Sequence, residues 1–81
     1  KDENELQQML FSSLHYAAPS AIRYPRGNGL GVELDSEFKK LKIGSWEILR
    51  EGGDAVLLAV GSCVASALAA AEVMAAEDKI E

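Results

Sequence analysis

Ala55-Val56-Leu57-Leu58-Ala59-Val60-Gly61-Ser62 reads as one strand running into one helix. An unbroken apolar run of this length, bounded by turn residues, is the pattern of a strand covered on both faces, as in the interior of a parallel sheet. Gly61-Ser62 then turns the chain, with Ser62 as the expected N-cap. Beyond it Val64, Ala65, Leu68, Ala71 and Ala75 fall at helical spacing and mark the inner face of an alanine-rich helix. A buried parallel strand needs parallel neighbours reached by crossovers. The sequence provides a strand and a helix and then reaches Glu81 without a return strand.

Working outward, residues 45–50 read as a second strand, with Trp46 and Ile48 on one face and Trp46 as a packing residue. Glu51-Gly52-Gly53-Asp54 is the turn between the two, where adjacent glycines would supply positive φ. Further back, residues 2–17 read as a helix with Asp2 as N-cap and Glu5 three residues on, as in a capping box. Leu6, Met9, Leu10, Leu14 and Ala17 give it one apolar stripe, expected to be buried. Residues 20–24 read as a short strand stopped by Pro25, which has no N–H for a ladder. The stretch between the two halves is polar and glycine-rich, and reads as a linker over residues 29–43. The expected class is α/β, in two incomplete units of a larger protein, with few contacts between residues 2–25 and 45–80. The isolated chain is expected to be partly unfolded or to associate, because strand 55–60 would leave unpaired backbone at an edge.

Composition bounds the function. The chain has 81 residues, a net charge of −5, 48% apolar and 26% charged residues, which is ordinary globular composition. Nucleic-acid binding is disfavoured, since no basic stripe is present to displace counterions. The longest apolar run is far short of the roughly 20 residues needed to span a bilayer, and no secretory leader is read. A single cysteine, Cys63, excludes an internal disulfide and suits a reducing compartment. Cys63 is expected to be a buried structural thiol. One histidine, His15, builds no metal site and is read as a partly exposed helix residue.

The densest chemical signal is Arg23-Tyr24-Pro25-Arg26-Gly27-Asn28-Gly29. Ligands of open α/β sheets gather outside the carboxyl ends of strands. An arginine there offers a planar fork of donors for phosphate or carboxylate, and glycines beside it let backbone approach a ligand. The plain alternative is that both arginines form surface ion pairs and the glycines only make a turn. Gly27-x-Gly29-x-Gly31 is not a dinucleotide fingerprint, because its spacing differs and no helix follows. Gly61-Ser62-Cys63 could bind an anion at a helix start or simply form a βα turn.

The string Ser20-Ala21-Ile22-Arg23-Tyr24-Pro25-Arg26-Gly27-Asn28-Gly29, followed by Gly31-Val32-Glu33, resembles the motif closing the pyrimidine-binding domain of the 1-deoxy-D-xylulose-5-phosphate synthase family. Asp2-Glu3-Asn4-Glu5-Leu6, Ile43-Gly44, Ile48-Leu49 and Gly61-Ser62 add support along nearly the whole chain. A departure is Ala17-Ala18, where many members carry Asp-Gly. The resemblance implies residues 1–28 at the end of a transketolase-type pyrimidine-binding domain, a linker over 29–43, and the start of the C-terminal domain over 44–81. It implies a transferase condensing pyruvate with D-glyceraldehyde 3-phosphate with loss of carbon dioxide, feeding isoprenoid, thiamine and pyridoxal synthesis. Thiamine diphosphate and Mg²⁺ would serve the full-length parent and not this fragment, which lacks the diphosphate motif and is expected to be inactive alone. The parent would be a homodimer, cytoplasmic in a bacterium or plastidic in a plant. Arg26 would hold the substrate phosphate and Arg23 would be structural. Other readings are a transketolase, a 2-oxoacid dehydrogenase beta subunit, or a small non-catalytic interaction domain.

Overall fold

The computed structural model describes residues 1–81. Its regular elements are α1 (Glu3–Ser13), α2 (Cys63–Val73) and a short π-helix (Met74–Asp78). The chain divides into two compact units, Lys1–Ser45 and Trp46–Glu81.

In the first unit α1 starts where the capping chemistry requires. Asp2 has an extended backbone, and its Oδ1 accepts the Glu5 N–H at 2.8 Å. The Glu5 carboxylate does not return to the Asp2 N–H; it lies against the main-chain nitrogen of Lys1. The helix ends at Ser13, four residues before the expected end at Ala17. His15 lies in the turn beyond, its Nδ1 2.8 Å from the Phe11 carbonyl and its ring 4.3 Å from that of Phe11.

The buried face of α1 is not the apolar stripe. Leu10 and Leu14 are 58% and 78% exposed, and the buried positions are Gln8 and Ser12. The reason lies in what covers the helix. Residues 30–41 run along it and present main-chain N–H and C=O groups, which need polar partners when water is removed. Asn4 Oδ1 accepts the Asp35 N–H at 2.8 Å, Gln8 Oε1 accepts the Lys39 N–H at 2.6 Å, and Ser12 Oγ accepts the Leu41 N–H at 2.7 Å. Gln7 and Gln8 donate to the carbonyls of Asp35 and Glu37, and the Tyr16 hydroxyl donates to that of Leu41. The spacing explains why one stripe serves the whole segment. Four helical residues advance about 6.0 Å and two extended residues about 6.6 Å, so the step from Gln8 to Ser12 matches that from Lys39 to Leu41. Phe11 stacking on Phe38 at 5.3 Å is the apolar component of this contact.

Segments 20–24, 45–50 and 55–60, read as strands, carry no β-ladder, and no hairpin forms at 51–54. A strand is fixed by its partner, and these segments have none in the chain. Gly52 and Gly53 do not take positive φ; Gly31, Gly44 and Gly61 do. In the second unit the N–H groups of Gly53, Asp54 and Ala55 converge on the Glu81 carbonyl at 3.0, 2.6 and 3.2 Å. Ser62 precedes α2 in helical conformation and makes no side-chain cap, so the turn rests on Gly61 at φ +61°. Val64, Ala67, Leu68 and Ala71 form the half-buried face of α2, continued by Met74 in the π-helix, while Ala65, expected on it, is exposed. That face and residues 46–52 and 55–59 border an open groove of about 490 Å³.

No apolar side chain is fully buried in either unit. Accessible surface totals 6922 Å² for 8.7 kDa. Two separate folded monomers of half that mass would together expose about 5,700 Å². Trp46 is 71% exposed rather than packed, and Val56, inside the apolar run, is 81% exposed. Cys63 is exposed rather than buried.

Candidate functional site: the Arg26 loop and the Glu3 carboxylate

Arg26 stands at a bend formed with Gly27 and is exposed, as are Arg23 and Tyr24. Neither arginine makes a hydrogen bond or ion pair within the chain, which sets aside the reading of Arg23 and Arg26 as intramolecular ion-pair residues. The guanidinium of Arg26 keeps its full complement of donors for a group outside these residues. A Cβ built at Gly27 meets nothing within 4 Å, so the chain's own packing does not demand glycine there.

The loop is fixed at its far end. The Glu3 carboxylate, in the first turn of α1, accepts the N–H groups of Leu30 at 3.0 Å, Val32 at 3.0 Å, and Gly31 between them. Three successive N–H groups turned toward one anion form a nest, and Gly31 at φ +79° supplies the left-handed residue that turns them inward. A Cβ at Gly29 would lie 2.8 Å from the Glu3 carboxylate, so a side chain there would make that carboxylate shift. Hydrogen bonds hold the Glu3 carboxyl below its ordinary range, that of its own backbone N–H first and those of Gly31, Leu30 and Val32 after it, while partial desolvation opposes them.

Sequence reasoning singled out Arg26 and the glycines as candidates, and did not single out Glu3. An acidic residue in a first turn is ordinary helix chemistry, and its partner lies 28 residues away. His15 is engaged with Phe11, and nothing gathers at Cys63. No three His, Cys, Asp or Glu side chains stand together as a metal-holding group. No helix is long and apolar enough to cross a membrane.

Comparison with curated proteins bears on the family of the chain. The chain is 55% identical over 76 residues to the 1-deoxy-D-xylulose-5-phosphate synthase of Geobacillus thermodenitrificans, covering 93% of this chain. It is 57% identical over 77 residues to 1-deoxy-D-xylulose-5-phosphate synthase 1 of Geobacter metallireducens, covering 95%. The chain belongs to the 1-deoxy-D-xylulose-5-phosphate synthase family. A synthase from a further Geobacillus strain is 52% identical over 79 residues, again along nearly the whole chain. The chain spans about 12% of the length of these synthases. Their shared name favours the synthase over the transketolase and 2-oxoacid dehydrogenase readings. No family model matches the chain, and no solved structure does.

Proposed function

We propose that these residues form part of an enzyme that joins pyruvate to D-glyceraldehyde 3-phosphate, with Arg26 holding the phosphate of the acceptor. In this reading residues 1–28 close a pyrimidine-binding domain, residues 29–43 lead out of it, and residues 44–81 open a C-terminal α/β domain. Segments 20–24, 45–50 and 55–60 are strands of sheets whose other strands lie elsewhere in the parent. The exposed apolar side chains of 55–60 support this, since they have no cover within the chain.

The parent is a transferase of isoprenoid-precursor synthesis, working as a cytoplasmic or plastidic homodimer with thiamine diphosphate and Mg²⁺. The cofactor supplies the carbanion chemistry; pyruvate loses its carboxylate as carbon dioxide, and a carbon–carbon bond forms to the acceptor aldehyde. The residues here contribute recognition. Pro25 fixes its own φ beside the bend, and Arg26 beyond it presents paired donors matched to two phosphate oxygens.

The observation that carries this reading is an exposed, unpartnered Arg26 within a chain at least 52% identical to three synthases along nearly its whole length. The test is a full-length parent containing these residues, given pyruvate and D-glyceraldehyde 3-phosphate with thiamine diphosphate and Mg²⁺. Carbon dioxide release dependent on both substrates, with one 1-deoxy-D-xylulose 5-phosphate formed per carbon dioxide, is expected. Release of carbon dioxide without the acceptor's incorporation would refute the reading.

A further inference from the structure

We propose that Glu3 is the positioning residue of the phosphate site, holding the loop that carries Arg26 by filling the nest of Leu30, Gly31 and Val32. The inference rests on the reading of Arg26 as the phosphate ligand. Residues 17–29 make no hydrogen bond in the chain, and the first anchor after Arg26 is the Glu3 carboxylate at residues 30–32. Only Gly27, Asn28 and Gly29 separate Arg26 from that anchor. Four Cα–Cα steps from Arg26 to Leu30 reach at most about 14 Å, so the anchor limits how far Arg26 can range. Released from it, a segment with two permissive glycines would leave the guanidinium free to sample many positions.

A nest of this kind would ordinarily accept an anion from solution. Here the chain's own carboxylate fills it, so residues 30–32 are closed to phosphate and Arg26 is left as the open donor. Gly29 belongs to the same device, since any side chain there would push against the Glu3 carboxylate. Glu3 touches no reacting atom; it acts through the loop.

The test uses the full-length holoenzyme with D-glyceraldehyde 3-phosphate and, separately, unphosphorylated D-glyceraldehyde as acceptor. Glu3→Gln is expected to raise KM for the phosphorylated acceptor roughly tenfold to a hundredfold, as misplacement of a binding group does. The KM for pyruvate and kcat/KM for glyceraldehyde should change less than twofold to threefold. Glu3→Asp, which keeps the charge, should recover part of the loss, and Gly29→Ala should reproduce it if Glu3→Gln folds poorly. In an Arg26→Ala background Glu3→Gln should add almost nothing, because both act on one contact. Equal losses for both acceptors in Glu3→Gln and Gly29→Ala, with Arg26→Ala still selective, would overturn this inference and leave the phosphate reading standing. An unselective Arg26→Ala would overturn both.

Discussion

The Glu3 carboxylate accepts the N–H of Gly31, joining the first turn of α1 to the end of the Arg26 loop across 28 residues of sequence. Its neighbours Leu30 and Val32 donate to the same carboxylate. The contact needs an ionised Glu3, and that requirement sets its pH dependence.

Because Glu3 titrates below its ordinary value, the folded state binds its proton less readily than the unfolded chain does. Its contribution is therefore fully present above the unfolded value of about 4.3 and is lost as pH falls through the lower folded value. The difference in Tm between the parent and its Glu3→Gln variant should be constant from about pH 8 to about pH 5.5 and shrink below about pH 4. Asp2 caps the helix and Glu5 shares its first turn with Glu3, so the comparison must be the difference between the two proteins rather than either melting curve. A difference that grows on acidification would contradict the assignment.

Two glycines of the loop should respond oppositely to alanine. Gly31 has φ +79°, so Gly31→Ala should cost about 1–2 kcal/mol of stability, read from denaturant unfolding of the parent. Gly27 has open space around it and no positive φ. Gly27→Ala should leave stability within about 0.5 kcal/mol; on the proposed phosphate role of Arg26 it should also raise KM for the phosphorylated acceptor. Equal destabilisation by both would show that the loop is held as a whole rather than at Gly31.

Ser12 is wholly buried, and its hydroxyl both accepts the Leu41 N–H and donates to the Lys39 carbonyl. Ser12→Ala strands both main-chain groups and should destabilise the parent by about 1–3 kcal/mol. Hydrogen exchange at Leu41 should rise with it. An unchanged rate would mean that residues 30–41 are held by other contacts.

These positions also show what the sequence could and could not reveal. Asp2 as a cap and the helical spacing of Val64, Leu68 and Ala71 depend on neighbours a few residues apart, and both are found. The apolar stripe of α1 misled because periodicity reports which face is apolar, not what will cover the helix. The covering segment is main chain, so Gln8 and Ser12 are buried instead. Glu3 was invisible for the same reason: its nest exists only once residues 30–32 fold back onto α1. Segments 55–60 and 20–24 show the converse, strong strand patterns without a ladder, because a ladder needs partners that these residues do not include.

The chain alone should not behave as a stable domain. With no fully buried apolar side chain, it has little hydrophobic stabilisation to set against chain entropy. Circular dichroism and sedimentation of the isolated residues should report partial helicity with self-association or a broad, uncooperative melt. A sharp two-state transition of a monomer at low concentration would contradict this.

The most direct test of the account is kcat/KM of Arg26→Ala in the full-length parent, measured with D-glyceraldehyde 3-phosphate and with D-glyceraldehyde. A charge-assisted hydrogen bond contributes about 1.5–3 kcal/mol, and each 1.4 kcal/mol is about a factor of ten. The expected result is a loss of roughly tenfold to several hundredfold for the phosphorylated acceptor, little change for the unphosphorylated one, and a pyruvate KM close to that of the parent. An equal loss for both acceptors would contradict it and make Arg26 a structural residue.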